Sequence, residues 1–419
     1  VLSPSTTRLG VSLSRARSPA VRWVGWLDTC HGPGFRATRG RVAAVMPSPS
    51  RGVRQHDTDT DETCSFPNAP RPKPTEVLVL SEIPGVLDAL KAFVPAHEAL
   101  FFQHTPVTVT TATLMCFEVV IADPGSFAKV ADRCTKGSLR WTQLTFAGVD
   151  KLICGSTHRE YVCTRLGGVF GEAIAEFCVM HVLSHLRDMD VNANNQCTKV
   201  WGRNLESQKQ KFIKQKNVRD LTIGILGFGD IGQRVGEVFS AFGCRIWTVR
   251  RRGGAGIGGG AMWDVSNDFT PKFVDKAFGM NSEIVNFFAG CDVVINLLPS
   301  TRETVGFLNK NTLRKCRDGC LLINVGRGDI FGATDYEAEE TICAALDAPG
   351  GVEKCVLDVF TTEPLPQHSP LWAHPKVKVT PHVAAVTHVN DVAAVFKENL
   401  ASFRDGREMK HVVDWDKGY

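Results

Sequence analysis

The sequence has no Cys-x-x-Cys pair; its fourteen cysteines stand singly, and the tightest spacing is Cys316 to Cys320. That scatter argues against a structural zinc site or a disulfide scaffold. Several cysteines, among them Cys178, Cys291 and Cys355, lie in apolar runs, where a thiol behaves as a small hydrophobe. A reducing compartment fits best. Also missing is any apolar run near the eighteen or so residues that span a bilayer. The longest, such as Asp292-Val-Val-Ile-Asn-Leu-Leu-Pro299, has the length of a strand, and no membrane partner is expected. No repeat of fixed period is found. Acids are nearly absent from residues 1–54, which hold nine Arg, no Lys and one acid, Asp28. The formal net charge of +4 belongs to that segment, so no nucleic-acid partner is expected for the folded part.

What is present is ordinary for a globular chain: 43% hydrophobic and 22% charged residues over 419 positions, enough for two or three domains. Residues 1–54 are Arg-rich and Ser-rich, as transit segments are, and equally fit a translated leader ahead of Met46. The expected compartment is the cytoplasm, with a mitochondrion or plastid as the alternative if that segment is a genuine address. Pro70-Arg-Pro-Lys-Pro74 reads as an extended linker, so residues 1–75 form a disordered or targeting extension.

Beyond it, Glu76–Leu80 and Glu118–Ile121 are short β-branched runs, the pattern of strands covered on both faces, with helical spacing between them over 84–94. A long helix is predicted over about 171–190. From Leu221 the chain alternates: strand Thr222–Leu226, helix Gly232–Ala241, strands Arg245–Val249, Asp292–Leu298 and Cys320–Val325. Such alternation predicts a parallel, doubly wound α/β sheet. The Gly-rich residues 253–260 and the stretch 330–354, with an expected helix Ala338–Leu346, read as surface insertions.

Gly227-Phe-Gly-Asp-Ile-Gly232 follows a strand and opens a helix, the context a dinucleotide fingerprint requires. Gly227 permits the tight turn, Gly229 lets the backbone approach a pyrophosphate, and Gly232 allows close packing. Asp230 and Ile231 lie at the helix N-terminus, where unpaired N–H groups favour phosphate. An acid ending the second strand would bind a ribose 2′-hydroxyl, whereas Arg250-Arg251-Arg252 stands there and suits a 2′-phosphate. NADP(H) is therefore preferred over NAD(H), which stays open as the alternative.

Reduction of a 2-keto acid needs a cation to hold the carboxylate and polarise the carbonyl, and an acid to protonate oxygen. A carboxylate beside a His favours imidazolium and suits it to that task. Ile323-Asn-Val-Gly-Arg-Gly-Asp329, Leu357-Asp-Val-Phe-Thr-Thr-Glu-Pro-Leu365 and Thr380-Pro-His-Val-Ala-Ala385 offer one of each after apolar runs. Together they resemble the D-isomer-specific 2-hydroxyacid dehydrogenase family. Trp141–Asp150 and Tyr161–Gly171 bring the likeness nearest to its glyoxylate and hydroxypyruvate reductases.

The resemblance implies that Arg327 binds the substrate carboxylate and carbonyl, that His382 donates the proton, and that Glu363 pairs with His382. It further implies that Asp358 binds the nicotinamide carboxamide, that Pro299 lies near that ring, and that backbone N–H groups around Ala147 and Gly148 grip the carboxylate. The implied architecture is a Rossmann-type domain, 171–387, and a discontinuous flavodoxin-like substrate domain, 76–170 with 388–419, in a homodimer. Glu rather than Gln at 363 argues against the formate dehydrogenase branch. His181 and His185 have a metal-like spacing on one helix face, yet no third ligand follows, and no metal is expected. Two rival readings are a dinucleotide-sensing, corepressor-like binding protein and an NAD-linked phosphoglycerate-type dehydrogenase. The second would want an acid at position 250.

Overall fold

The computed structural model describes residues 73–134, 137–202, 205, 208, 215–250, 271–279 and 284–419. Continuously apolar runs build its centre. Thr75–Leu80 (β1), Ala99–Gln103 (β2), Val119–Ala122 (β3), Trp141–Leu144 (β4) and Val162–Thr164 (β5) pair in parallel, in the order β2-β1-β3-β4-β5. Thr222–Leu226 (β6), Arg245–Arg250 (β7), Lys276–Gly279 (β8), Val293–Asn296 (β9), Cys320–Asn324 (β10), Val352–Leu357 (β11) and Val377–Val379 (β12) form a second sheet. Its order is β12-β11-β10-β9-β6-β7-β8, again parallel. Every residue of β3, β6, β9 and β10 is buried, as strands with helices on both faces require. The expected α/β fold with two parallel sheets is what the chain adopts.

In the second sheet the strand order reverses between β6 and β9, the switch point at which open parallel sheets bind ligands beyond their strand ends. The helix Asp230–Ala241 follows β6 and packs against a long helix, Gly171–Leu186. A Cβ at Gly171 would lie 2.8 Å from that of Arg234, so only glycine admits this contact. The long helix ends earlier than its apolar spacing predicts. Asp188 takes a left-handed φ of 46°, and a separate helix, Met189–Cys197, begins. On the long helix the His181 ring is buried, 4.4 Å from that of Phe177.

The C-terminal helix Val389–Arg404 returns to the first sheet. Phe396 stacks on Trp141 with centroids 5.1 Å apart, and Asn399 Nδ2 donates to Gln143 Oε1 at 3.0 Å. Val412 then bridges antiparallel to Thr164.

Residues 330–354 are not a surface insertion. They hold the helix Asp335–Asp347, whose Ala338, Ile342, Ala345 and Leu346 are buried, and they join the neighbouring strands β10 and β11. Parallel neighbours need such a crossover. Thr334 and Glu337 close a capping box at its start. The Gly-rich run 253–260 lies outside the described residues.

Candidate active site

The fingerprint glycines answer three different steric demands. Gly227 has φ 93°, and a Cβ there would lie 3.0 Å from the Leu297 carbonyl carbon across the switch point. At Gly232 a Cβ would sit 2.2 Å from the Gly227 carbonyl oxygen. Gly229 is the opposite case, since nothing lies within 4 Å of a Cβ built there. The helical ladder begins with Gln233 N donating to Gly229 O at 2.9 Å. The N–H groups of Asp230, Ile231 and Gly232 thus precede the ladder and carry the helix's partial positive charge. Open space beside a side-chain-free backbone at a helix N-terminus fits a diphosphate, and a methyl group would fill it.

The Asp230 carboxylate turns aside from that space. Its Oδ2 accepts from Gly168 N at 2.8 Å, and Arg165 Nη2 lies 3.9 Å from Oδ1, so the backbone of Asp230 is what is left to face that space. Pro299 follows β9, and its carbonyl accepts from Thr304 Oγ1 at 2.6 Å, which fixes the turn opposite Gly227. Arg250 ends β7; its side chain, with Arg251 and Arg252, falls outside the described residues.

Two buried asparagines at the ends of neighbouring strands position Arg327. Asn296 Nδ2 donates to Asn324 Oδ1 at 2.9 Å, and Asn324 Nδ2 donates to the Arg327 carbonyl at 2.9 Å. The glycines on either side of Arg327 are required by close backbone. A Cβ at Gly326 would lie 2.7 Å from Leu298 O, and one at Gly328 2.0 Å from the Phe360 carbonyl carbon. Arg327 alone projects a side chain from this turn. Its Nε donates to Asp150 Oδ2 at 2.9 Å and its Nη1 to Gly326 O at 2.7 Å. Its Nη2 presses on Gly148 so closely that a Cβ there would be 1.7 Å away. Arg327 and the Ala147–Gly148 loop, from different sheets, are therefore brought together.

Asp358, buried at the end of β11, organises the loop that carries His382. Its Oδ1 accepts from Thr380 Oγ1 at 2.6 Å and Val383 N at 2.9 Å, its Oδ2 accepts from Ala384 N at 2.9 Å, and its carbonyl accepts from His382 N at 2.9 Å. This loop-holding task was not foreseen from sequence, where Asp358 was assigned to the nicotinamide. His382 itself takes a left-handed φ of 54°, a conformation a β-bearing residue keeps only where its surroundings enforce it. The result is an imidazole whose Nδ1 lies 2.8 Å from Glu363 Oε2. Glu363 Oε1 accepts from Phe360 N at 3.0 Å. Burial pushes the Glu363 carboxyl up. The bonds from His382 and Phe360, with the charges of His382 and Arg327, outweigh it and hold the group below its ordinary value. With Nδ1 engaged by Glu363, Nε2 is the ring nitrogen left to meet a ligand.

Sequence reasoning missed Asp150, Asn296 and Asn324. The asparagines had a usable signal, since each ends an apolar run, Val-Val-Ile-Asn and Leu-Leu-Ile-Asn, at paired positions of adjacent parallel strands. Among the described residues, no group of three or more His, Cys, Asp or Glu is placed to hold a metal ion. Nor is any helix there long and apolar enough to cross a membrane.

A nucleotide-binding switch point beside a cation and an acid-paired imidazole defines a dinucleotide-dependent oxidoreductase. Comparison with known proteins gives the family. Residues 179–384 match the model for the D-isomer specific 2-hydroxyacid dehydrogenase, NAD binding domain. A solved family protein from Aeromonas salmonicida is 26% identical, with 82% of this chain and 99% of that one covered at a TM-score of 0.65. Another, from Xanthobacter autotrophicus in complex with NADPH and MES, is 25% identical over 83% of this chain and 100% of that one, TM-score 0.65. An NADPH-dependent glyoxylate/hydroxypyruvate reductase from Sinorhizobium meliloti shares the fold at 24% identity, TM-score 0.65, over 82% of this chain and 100% of that one. Over residues 179–384 the chain matches the NAD-binding domain of the D-isomer-specific 2-hydroxyacid dehydrogenase family, and solved members of that family share its fold.

Proposed function

We propose that this chain reduces a small 2-keto acid of the glyoxylate or hydroxypyruvate kind to the D-2-hydroxy acid, with NADPH as preferred donor. One observation carries the assignment: Arg327 lies against Gly148 while the Glu363–His382 pair stands near enough for the guanidinium to help hold Glu363 ionised. Arg327 pairs with the substrate carboxylate and polarises the C2 carbonyl, and the backbone N–H groups of Ala147 and Gly148 steady that carboxylate from the facing loop. His382 Nε2 hands its proton to the carbonyl oxygen, while Glu363 keeps Nδ1–H oriented and offsets the charge. When bound, the dinucleotide supplies the hydride that C2 receives. One hydride and one proton thus convert the C2 carbonyl to an alcohol.

In this scheme residues 171–387 bind cofactor and residues 76–170 with 388–419 bind substrate. Preference for NADPH draws on the Arg250–Arg252 run and on the NADPH bound by the Xanthobacter relative. Exposed Met180, Met189 and Trp201 on and after the long helix favour a homodimer, which sedimentation would test. The main experiment follows NADPH absorbance on adding glyoxylate or hydroxypyruvate. Arg327→Ala is expected to lose roughly a hundredfold or more in kcat/KM while still binding NADPH; normal turnover by this variant would refute the assignment. Equal efficiency with NADH and NADPH would refute the cofactor preference.

A further inference from the structure

The anion site contains an acid that the reaction just described does not use. Asp150 opens the short helix Asp150–Gly155 beyond β4, and its Oδ2 accepts from Arg327 Nε at 2.9 Å although the two residues lie far apart in the chain. Both side chains are partly covered, at 32% and 28% exposure, so the pair is neither buried nor freely solvated. A guanidinium has five N–H groups in a planar fork. Asp150 takes Nε and the Gly326 carbonyl takes one N–H of Nη1, which sets the plane of the fork and turns Nη2 to the Gly148 backbone.

We propose that Asp150 is a positioning and specificity residue for the reaction above: it orients Arg327 and sets the charge of the pocket so that a monocarboxylate is accepted and a dicarboxylate rejected. This rests on the proposed function. In the acid form of His382 that the proposed reaction uses, two cations, Arg327 and His382, are matched by two carboxylates, Asp150 and Glu363, before substrate enters. One substrate carboxylate meets the free edge of Arg327 and the N–H groups of the Gly148 loop. Arg327 and His382 are each already paired with an acid, and the Asp150 charge repels a second carboxylate. A purely structural Asp150 would serve only as a first-turn acid favoured by the helix dipole. That role predicts no dependence on substrate charge.

The test compares full-length wild type, Asp150→Asn and Asp150→Ala with glyoxylate and oxaloacetate. Asn keeps an oxygen for Arg327 Nε but loses the charge, whereas Ala loses both. Asp150→Asn is expected to lower glyoxylate kcat about threefold and to raise the oxaloacetate-to-glyoxylate ratio of kcat/KM about tenfold. Asp150→Ala is expected to lower glyoxylate kcat about thirtyfold through loss of orientation. An unchanged substrate ratio in Asp150→Asn overturns the proposal even if the Ala variant fails to fold. If wild type reduces no 2-keto acid, the proposed reaction fails, and calorimetry of the NADPH-loaded protein then decides the role of Asp150 separately. Asp150→Asn must tighten malonate relative to acetate; equal relative affinities in wild type and variant overturn it.

Discussion

Replacing Glu363 by Gln isolates the electrostatic support of His382 with almost no change in shape. Glu363 Oε1 accepts from Phe360 N, and Oε2 faces His382 Nδ1. The Phe360 N–H pins the amide: Gln must place its oxygen there and so points its NH2 group at Nδ1. A donor now confronts a donor, and imidazolium is disfavoured. Hydrogen bonds to charged groups are worth about 1.5–3 kcal/mol. The carboxylate and ring are 35% and 51% exposed, so solvent screening favours the lower end of that range. At about 1.4 kcal/mol per tenfold, kcat for keto-acid reduction should fall about tenfold near pH 8. NADPH affinity should not move, because the hydrogen-bond partners of Glu363 are Phe360 and His382 and not the fingerprint backbone. Steady-state kinetics across pH with a fluorescence titration of NADPH would read both quantities. Wild-type kcat at pH about 8 in the Gln variant would refute the role given to the Glu363–His382 pair.

Other outcomes follow from single contacts. Gly229→Ala meets no protein atom, so it should keep the wild-type melting temperature yet weaken NADPH binding at least about tenfold, whereas Gly232→Ala strikes the Gly227 carbonyl and should cost about 1–3 kcal/mol of stability. Matching melting temperatures for the two variants would contradict this contrast. Asn324→Ala strands Asn296 Nδ2 and releases the Arg327 carbonyl; a loss of about 2–4 kcal/mol in urea unfolding is expected, and a shift under about 0.5 kcal/mol would show the ladder to be unimportant. Asp132 is held down to about 2 by bonds from Ser156 Oγ and from the His158 and Thr157 N–H groups. A depressed carboxylate contributes stability above its unfolded value of 3.8 and loses it as pH falls through about 2. The gap in urea midpoint between wild type and Asp132→Asn should therefore be full at neutral pH and close in that acid window; a gap independent of pH would contradict the linkage.

The central strands were legible because they are buried on both faces and so are written as unbroken apolar runs. Thr222–Leu226 was read to the residue, and Cys320–Asn324 to within one. Edge strands were not legible. In Ala99–Gln103 only the first residue is buried, and no residue of Val377–Val379 is, so neither carries a continuous apolar signature. Residues 330–354 were misread because a crossover helix is recognised only once the pairing of β10 with β11 is known. At the site, Arg327, Glu363 and His382 stand in motifs whose residue types already suit the chemistry. Asp150 has no such local mark, since its importance comes entirely from a partner 177 positions away. Asp358 shows the converse limit: its motif marks the residue, while its hold on Thr380, Val383 and Ala384 depends on a loop conformation that no motif specifies.

The near-contact between the Arg327 Nη2 and Gly148 makes two distant positions mutually conditional. Even a methyl group at 148 would occupy the place of the guanidinium, so any larger residue there can be inherited only alongside a shorter or redirected side chain at 327. Drift at one position is thereby closed off unless the other changes first, and a laboratory search that randomises 148 alone should recover glycine.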